Sequence, residues 1–131
     1  MLLVKTIVKQ SNIPNSGLGL FADQDIPKGF ILWEFNKIVD VTIPVQKLEY
    51  LIKVEKDYLK KYVYREGDNL ILCSDDDKYI NHSDTPNVLD IFDERNFSVS
   101  VAARDIKAGE ELLCDYATFD DNYKNGVVFG V

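Results

Sequence analysis

The most restrictive feature of this 131-residue chain is that its apolar residues come in short runs, each closed by a turn. Runs rich in β-branched and aromatic residues between Gly, Pro, Asn and Asp leave room for many short strands and little helix. Val4, Thr6 and Val8 alternate with Lys5 and Ile7, and Ser11 to Gly19 follows as a loop carrying Pro14, Gly17 and Gly19. Leu18 to Ala22, Phe30 to Phe35 and Val39 to Ile43 read as further strands. Tyr62-Val63-Tyr64 and Leu70 to Cys73 flank Arg65-Glu66-Gly67-Asp68-Asn69, a hairpin by its turn chemistry. Asn87 to Phe92 and Phe97 to Ala103 flank a second polar turn. In the latter strand, alternation puts Phe97, Val99, Val101 and Ala103 on one face and Ser98 and Ser100 on the other.

One segment departs from this pattern. After Thr42-Ile43-Pro44, the residues Val45, Leu48, Leu51, Ile52 and Leu59 fall at helical spacing, with Lys and Glu between them. The spacing predicts one amphipathic helix over about 45–59, capped by Thr42 or a neighbour, with Pro44 in its first turn. The fold class expected is mainly β, as a single domain over 1–131.

Composition narrows the function classes. A hydrophobic share of 46% allows a real core, and a formal charge of −7 argues against phosphate binding by clustered Lys and Arg. An acidic surface suits a basic partner, and it also serves solubility alone. No apolar run spans a bilayer and no cleavable leader is visible, so a soluble, intracellular protein with no membrane or nucleic-acid partner is expected. Cys73 and Cys114 form no CxxC, and His82 is the one histidine, so a reduced thiol pair and no metal site are expected.

Three constellations could carry chemistry. In Asn15-Ser16-Gly17-Leu18-Gly19-Leu20-Phe21-Ala22, two glycines let backbone approach a ligand, though an ordinary tight turn has the same form. The third glycine of a dinucleotide fingerprint is missing. In Tyr79-Ile80-Asn81-His82-Ser83-Asp84-Thr85-Pro86-Asn87, the histidine can act as an acid/base group, a ligand or a structural hydrogen bonder. Standing alone, without a Ser nucleophile or second ligand nearby, it favours the structural reading. The upstream Asp75-Asp76-Asp77 lacks the pattern of a calcium loop and reads as a solvated turn. In Ala108-Gly109-Glu110-Glu111-Leu112-Leu113-Cys114-Asp115-Tyr116, a strand ends on Asp-Tyr, where a tyrosine can pack its ring and offer its hydroxyl. Finally, Asp25-Ile26-Pro27-Lys28-Gly29 and Asp105-Ile106-Lys107-Ala108-Gly109 share the form D-I-x-x-G, too short to count as a repeat.

Taken in order, GxG-LFA, NHS-x-x-PN and GEEL-x-x-DY, with the two D-I-x-x-G turns, resemble the SET-domain family over about 6–119. The resemblance implies a β-clip-like fold of several short sheets, with a pseudoknot in which the last part of the chain runs beside the NHS segment. It implies transfer of a methyl group from S-adenosylmethionine to a lysine of a protein, a histone or another basic protein. The alternative it leaves is a catalytically inactive module of the same fold that binds the cofactor or a basic peptide.

The roles it implies are these. Tyr116 matches the catalytic tyrosine. Gly17, Leu18 and Gly19 would line the cofactor through their backbone, with Asn81, the main chain of His82, and Tyr62. Tyr64, Cys114 and Phe119 would line the substrate channel, and Tyr64 is an alternative to Tyr62. The cysteine clusters that many members use to complete that channel are missing, so closure would fall to 117–131, with Phe119, Tyr123 and Phe129 as candidates. The oligomeric expectation is a monomer or homodimer.

Overall fold

The computed structural model describes residues 1–126. Its strands are short and fall into four small sheets. Strand β1 (Thr6–Gln10) pairs antiparallel with β2 (Leu18–Ala22), β2 having the bounds read from sequence. Strand β3 (Ile31–Glu34) lies on one edge of a sheet whose centre is β9 (Ser98–Ala102) and whose other edge is β8 (Val88–Phe92). Strands β4 (Val41–Pro44), β5 (Val63–Glu66) and β6 (Asn69–Leu72) form a third sheet, with β6 central.

The fourth sheet decides the topology. Strand β7 (Asn81–His82) pairs in parallel with β10 (Leu113–Cys114), Leu113 against Asn81 and Cys114 against His82. Parallel neighbours cannot be joined by a tight turn. The chain therefore travels out through β8 and β9 and returns to lie beside the NHS segment. Asn87 locks the return: its side-chain amide donates to the Glu111 carbonyl at 2.8 Å, and its Oδ1 accepts the Leu113 N–H at 2.8 Å. The result is several small sheets, with the last strand returning to lie beside the NHS segment, as expected.

The two D-I-x-x-G turns, too short to count as a repeat, embrace each other. Ile26 and Ile106 exchange backbone hydrogen bonds at 2.8 Å each way. Asp105 Oδ1 accepts the Lys28 N–H at 2.8 Å, and Asp25 Oδ1 accepts the Ala108 N–H at 3.0 Å. Each aspartate thus caps the other turn, and both isoleucines are buried beneath the pair. The echo in the sequence is a structural pseudo-twofold.

The helix expected over about 45–59 is two elements. Val45–Tyr50 is a 3-10 helix, and α1 runs Lys53–Tyr62. Between them Leu51 and Ile52 are extended, with ψ of 143° and 167°. Glu55 fixes the new start by accepting the Ile52 N–H at 3.0 Å, and the chain end of α1 carries Lys60 and Lys61, which suit the negative pole of the helix. Thr42 caps nothing, being inside β4. The break is a packing compromise. Leu48 and Leu59 are both buried against Leu70 in a second, smaller core, and one straight helix is replaced by two segments that each bring a leucine there. A short helix α2 (Asp121–Lys124) also follows in the tail.

The main core gathers Leu20, Ala22, Ile26, Leu32, Trp33, Val88, Ile106 and Leu112 from widely separated parts of the chain. The strand β9 corrects the simple alternation expected for it. Val99 is buried, but so is Ser100, and Phe97 is largely exposed. Both faces of this central strand are covered, and its serine face looks into a cavity. Among the described residues no helix is long and apolar enough to cross a membrane.

Candidate active site

The cavity has a volume of about 180 Å3 and lies between β5, β7, β9, β10 and the tail. Tyr62, Tyr64, Cys114, Tyr116 and Phe119 all line it, together with Ile80, Cys73, Trp33, Asp77, Asp90 and Ser100. Positions 54 residues apart in sequence, Tyr62 and Tyr116, meet here because the pseudoknot brings β10 alongside β7.

Tyr116 opens a 3-10 turn (Tyr116–Thr118) that follows β10, with Asp115 capping the turn through the Ala117 N–H at 2.9 Å. Its hydroxyl donates to the Ile80 carbonyl at 2.5 Å, just before the NHS segment. Burial, and then the nearby Cys114, push its ionisation well above the ordinary tyrosine value, so the hydroxyl keeps its proton and offers its oxygen lone pairs to the cavity. Tyr64 is raised for the same first reason, burial. Phe119 sits edge-on between them, 5.1 Å from the Tyr64 ring and 5.8 Å from the Tyr116 ring. Three rings thus make one wall. Tyr62 contributes to another: it packs on Tyr58 at 5.0 Å and Tyr79 at 5.7 Å. The thiol of Cys114 is also pushed up by burial and is a small apolar filler rather than a nucleophile.

His82 stands behind this wall. The Tyr116 backbone N–H donates to its Nδ1 at 3.1 Å, so Nε2 carries the hydrogen. Nε2 lies 3.0 Å from Asp84 Oδ1 and 3.1 Å from the Tyr123 hydroxyl. The Tyr123 ring lies tilted against His82 at 4.9 Å and meets the Tyr116 ring edge-on at 5.8 Å. The lone histidine therefore orients Tyr116 through the main chain. The tail is held to β5 and its turn by Asp120, which accepts the Arg65 N–H at 3.1 Å, and by Asp121, which accepts the Gly67 N–H at 2.8 Å. Phe129, the third tail candidate, lies outside the described residues.

Gly17, Leu18, Gly19 and Asn81 form a second group next to the cavity. Gly17 has φ +65° and open space where a Cβ would stand, and Leu18 is half exposed, so backbone here is accessible to a ligand. Gly19 is required for a different reason. A Cβ there would come 2.4 Å from Glu111 Oε1 and 3.3 Å from the Asn81 amide nitrogen. Glu111 is buried and accepts from the Ser11 hydroxyl at 2.6 Å, the Asn12 N–H at 2.9 Å and Asn81 Nδ2 at 3.3 Å. Asn81 Nδ2 also donates to the Leu18 carbonyl at 3.0 Å. The first and second motifs are therefore tied by a glutamate from the third. Sequence reasoning passed over Glu111 because Glu110-Glu111 looks like a solvated acidic pair. Glu110 indeed faces out, pairing with Arg104 at 2.9 Å, and strand alternation turns its neighbour inward.

Asp77, Asp90, Ser100 and Trp33 were also missed. Burial, and then the charge of Asp75, raise the Asp77 carboxyl to about 7. Burial raises Asp90 to about 6, against a hydrogen bond from Ser100 at 2.6 Å. Only the alternating serines of β9 hinted at a polar surface there. Among the described residues no cluster of His, Cys, Asp and Glu has the arrangement to hold a metal ion.

Comparison with known proteins agrees with the fold. The SET-domain family model matches residues 17–117. Comparison with curated proteins gives no match. Among solved structures, the Polycomb Repressive Complex 2 of Chaetomium thermophilum, in an autoinhibited state bound to S-adenosylmethionine, superposes with a TM-score of 0.66 at 22% identity over 95% of this chain. A second structure of that complex gives 0.69 at 22% identity over 95%. This chain spans only 16% and 17% of those two chains. A putative histone methyltransferase of Plasmodium falciparum gives 0.60 at 23% identity, over 88% of this chain and 95% of that one.

Proposed function

Because the chain belongs to the SET-domain family, we propose that it is a protein-lysine methyltransferase that uses S-adenosylmethionine and acts on a basic protein. The observation that carries this reading is the aromatic cavity beside the NHS segment, in which the Tyr116 hydroxyl is fixed on the Ile80 carbonyl. At about 180 Å3 the cavity is smaller than the roughly 300–1,000 Å3 of a drug-sized ligand site, and suits an extended aliphatic side chain.

The cofactor would then lie outside it, on the open backbone of Gly17, Leu18 and Gly19, against Asn81 and the main chain of His82. The residues fit such a group: Gly17 leaves its surroundings empty, and Asn81 and Glu111 keep the glycine hairpin rigid. When bound, S-adenosylmethionine supplies a methyl group activated on a sulfonium, with its own leaving group. The protein is left with alignment and with the state of the amine.

A lysine amine must be neutral to attack, although it titrates near 10.4 in water. The wall of Tyr64, Tyr116 and Phe119 presents apolar ring surface, which disfavours the ammonium by desolvation. The Tyr116 oxygen and the Ile80 carbonyl can each accept an amine N–H, which orients the nitrogen lone pair; such alignment is worth several kcal/mol. Tyr116 is too reluctant to ionise to serve as a base, and the reading assigns it an orienting role. The chain's −7 charge favours basic partners.

The test is methyl transfer from labelled S-adenosylmethionine to a panel of basic proteins, with the product digested and read by mass spectrometry. Methyl-lysine is the expected product. Tight cofactor binding with no methyl-lysine on any protein would overturn the reading.

A further inference from the structure

The sheet β3-β9-β8 places three polar side chains in one lateral row: Asp90 opposite Ser100, and Ser100 opposite Trp33. All three line the cavity. Ser100 donates to Asp90 Oδ1 at 2.6 Å, which leaves Asp90 Oδ2 buried without a partner. The indole N–H of Trp33, a residue only 3% exposed, is likewise buried and unpartnered. An unsatisfied buried donor and acceptor are costly, and two in one cavity wall call for an occupant. Ser98, on the same face, adds polarity towards the rim. Tyr64, Tyr116 and Phe119 supply an aromatic wall, and the rest of the lining includes a further carboxyl, Asp77, and the lysines Lys60, Lys61 and Lys78. The cavity thus has an aromatic wall and a polar floor.

We propose that Trp33, Asp90 and Ser100 form a specificity-determining floor that recognises the N–H groups of a primary amine, and that rejects an amine whose nitrogen is fully methylated. This rests on the lysine-methyltransfer reading. A primary amine can give one N–H to the acceptors at Tyr116 and Ile80 and another to Asp90 Oδ2, directly or through a water that also accepts from Trp33. Each added methyl removes a donor and leaves Asp90 unsatisfied beside a carbon. The floor therefore favours the first transfer over later ones.

Trp33 is the chain's one tryptophan, so its indole N–H gives a single resonance. The probes are n-butylamine and butyltrimethylammonium, titrated separately into the full chain and followed by 15N-correlated NMR. The expected result is a saturable shift of the indole signal with butylamine, and binding at least about tenfold weaker for the quaternary ion. In Asp90→Asn, whose remaining resonances report an intact fold, the discrimination should fall to within about threefold. Asp90→Ser serves as a second variant if the amide does not fold. An indole signal that ignores both amines, or equal binding of both by the native protein, overturns the proposal. Amine binding with these preferences and no methyl transfer would sink the functional reading and leave the floor standing. Transfer with a silent indole would do the reverse.

Discussion

Replacing Gly19 with alanine tests its close approach to Glu111. Gly19 has ordinary backbone angles, so alanine brings no conformational strain, and the whole effect must come from its Cβ. That atom would stand 2.4 Å from Glu111 Oε1 and 3.1 Å from Glu111 Cδ. Glu111 cannot retreat freely, because Ser11, Asn12 and Asn81 hold its two oxygens. Overpacking of this kind costs about 1–3 kcal/mol, and hydrogen bonds to a charged group are worth about 1.5–3 kcal/mol each. Partial loss of the Glu111 contacts puts Gly19→Ala at about 2–4 kcal/mol of destabilisation. The assay is urea unfolding followed by Trp33 fluorescence, run as a double-mutant cycle with Glu111→Ala. With the carboxylate gone, only the 3.3 Å approach to the Asn81 amide nitrogen remains, and the cost should drop to about 1 kcal/mol or less, a coupling of about 1–3 kcal/mol. A Gly19→Ala cost under about 0.5 kcal/mol in the native background would refute the reasoning, as would equal costs in both backgrounds.

Other perturbations read different parts of the site. Tyr116→Phe removes the bond to the Ile80 carbonyl; cofactor affinity by calorimetry should stay within about threefold while transfer falls about 100-fold or more, in line with loss of a fixed polar group at a reacting centre. Gly17→Ala, at φ +65° with empty space around it, should cost about 1 kcal/mol through backbone strain alone, and Gly17→Asn less, by the same unfolding assay. Asp77 and Asp90 are raised by burial to about 7 and about 6, so the native state keeps protons that the unfolded chain releases near pH 4. Their contribution to stability is therefore present in full below about pH 4 and is lost as pH rises towards 6–7. Asp90→Asn should flatten its share of that slope, at most about 3 kcal/mol, in urea titrations across pH 4–7.

Much of the fold is legible in the order of residues, because the information there is local. Alternation and turn chemistry give β2 with its bounds and the β5–β6 and β8–β9 hairpins close to theirs. The motif order GxG, NHS and DY carries the family, and the residues named for the site fall into two adjoining groups around Ile80, Asn81 and Tyr116. The helix over about 45–59 misled because periodicity registers which residues are apolar but not the depth of the core they reach; Leu48 and Leu59 both needed Leu70.

The sequence by itself determined the short strands, the turns and the set of chemical groups the chain owns. Tertiary structure alone decided what those groups face. Glu111 and Glu110 are neighbours of one charge, yet one braces Gly19 and Asn81 inside while the other meets Arg104 outside. Asp90, Ser100 and Trp33 belong to three strands and become a row only when β9 inserts between β3 and β8. The physical reason is the parallel pairing of β7 with β10: it joins segments some thirty residues apart, and no local propensity encodes a contact that only the returning chain can make.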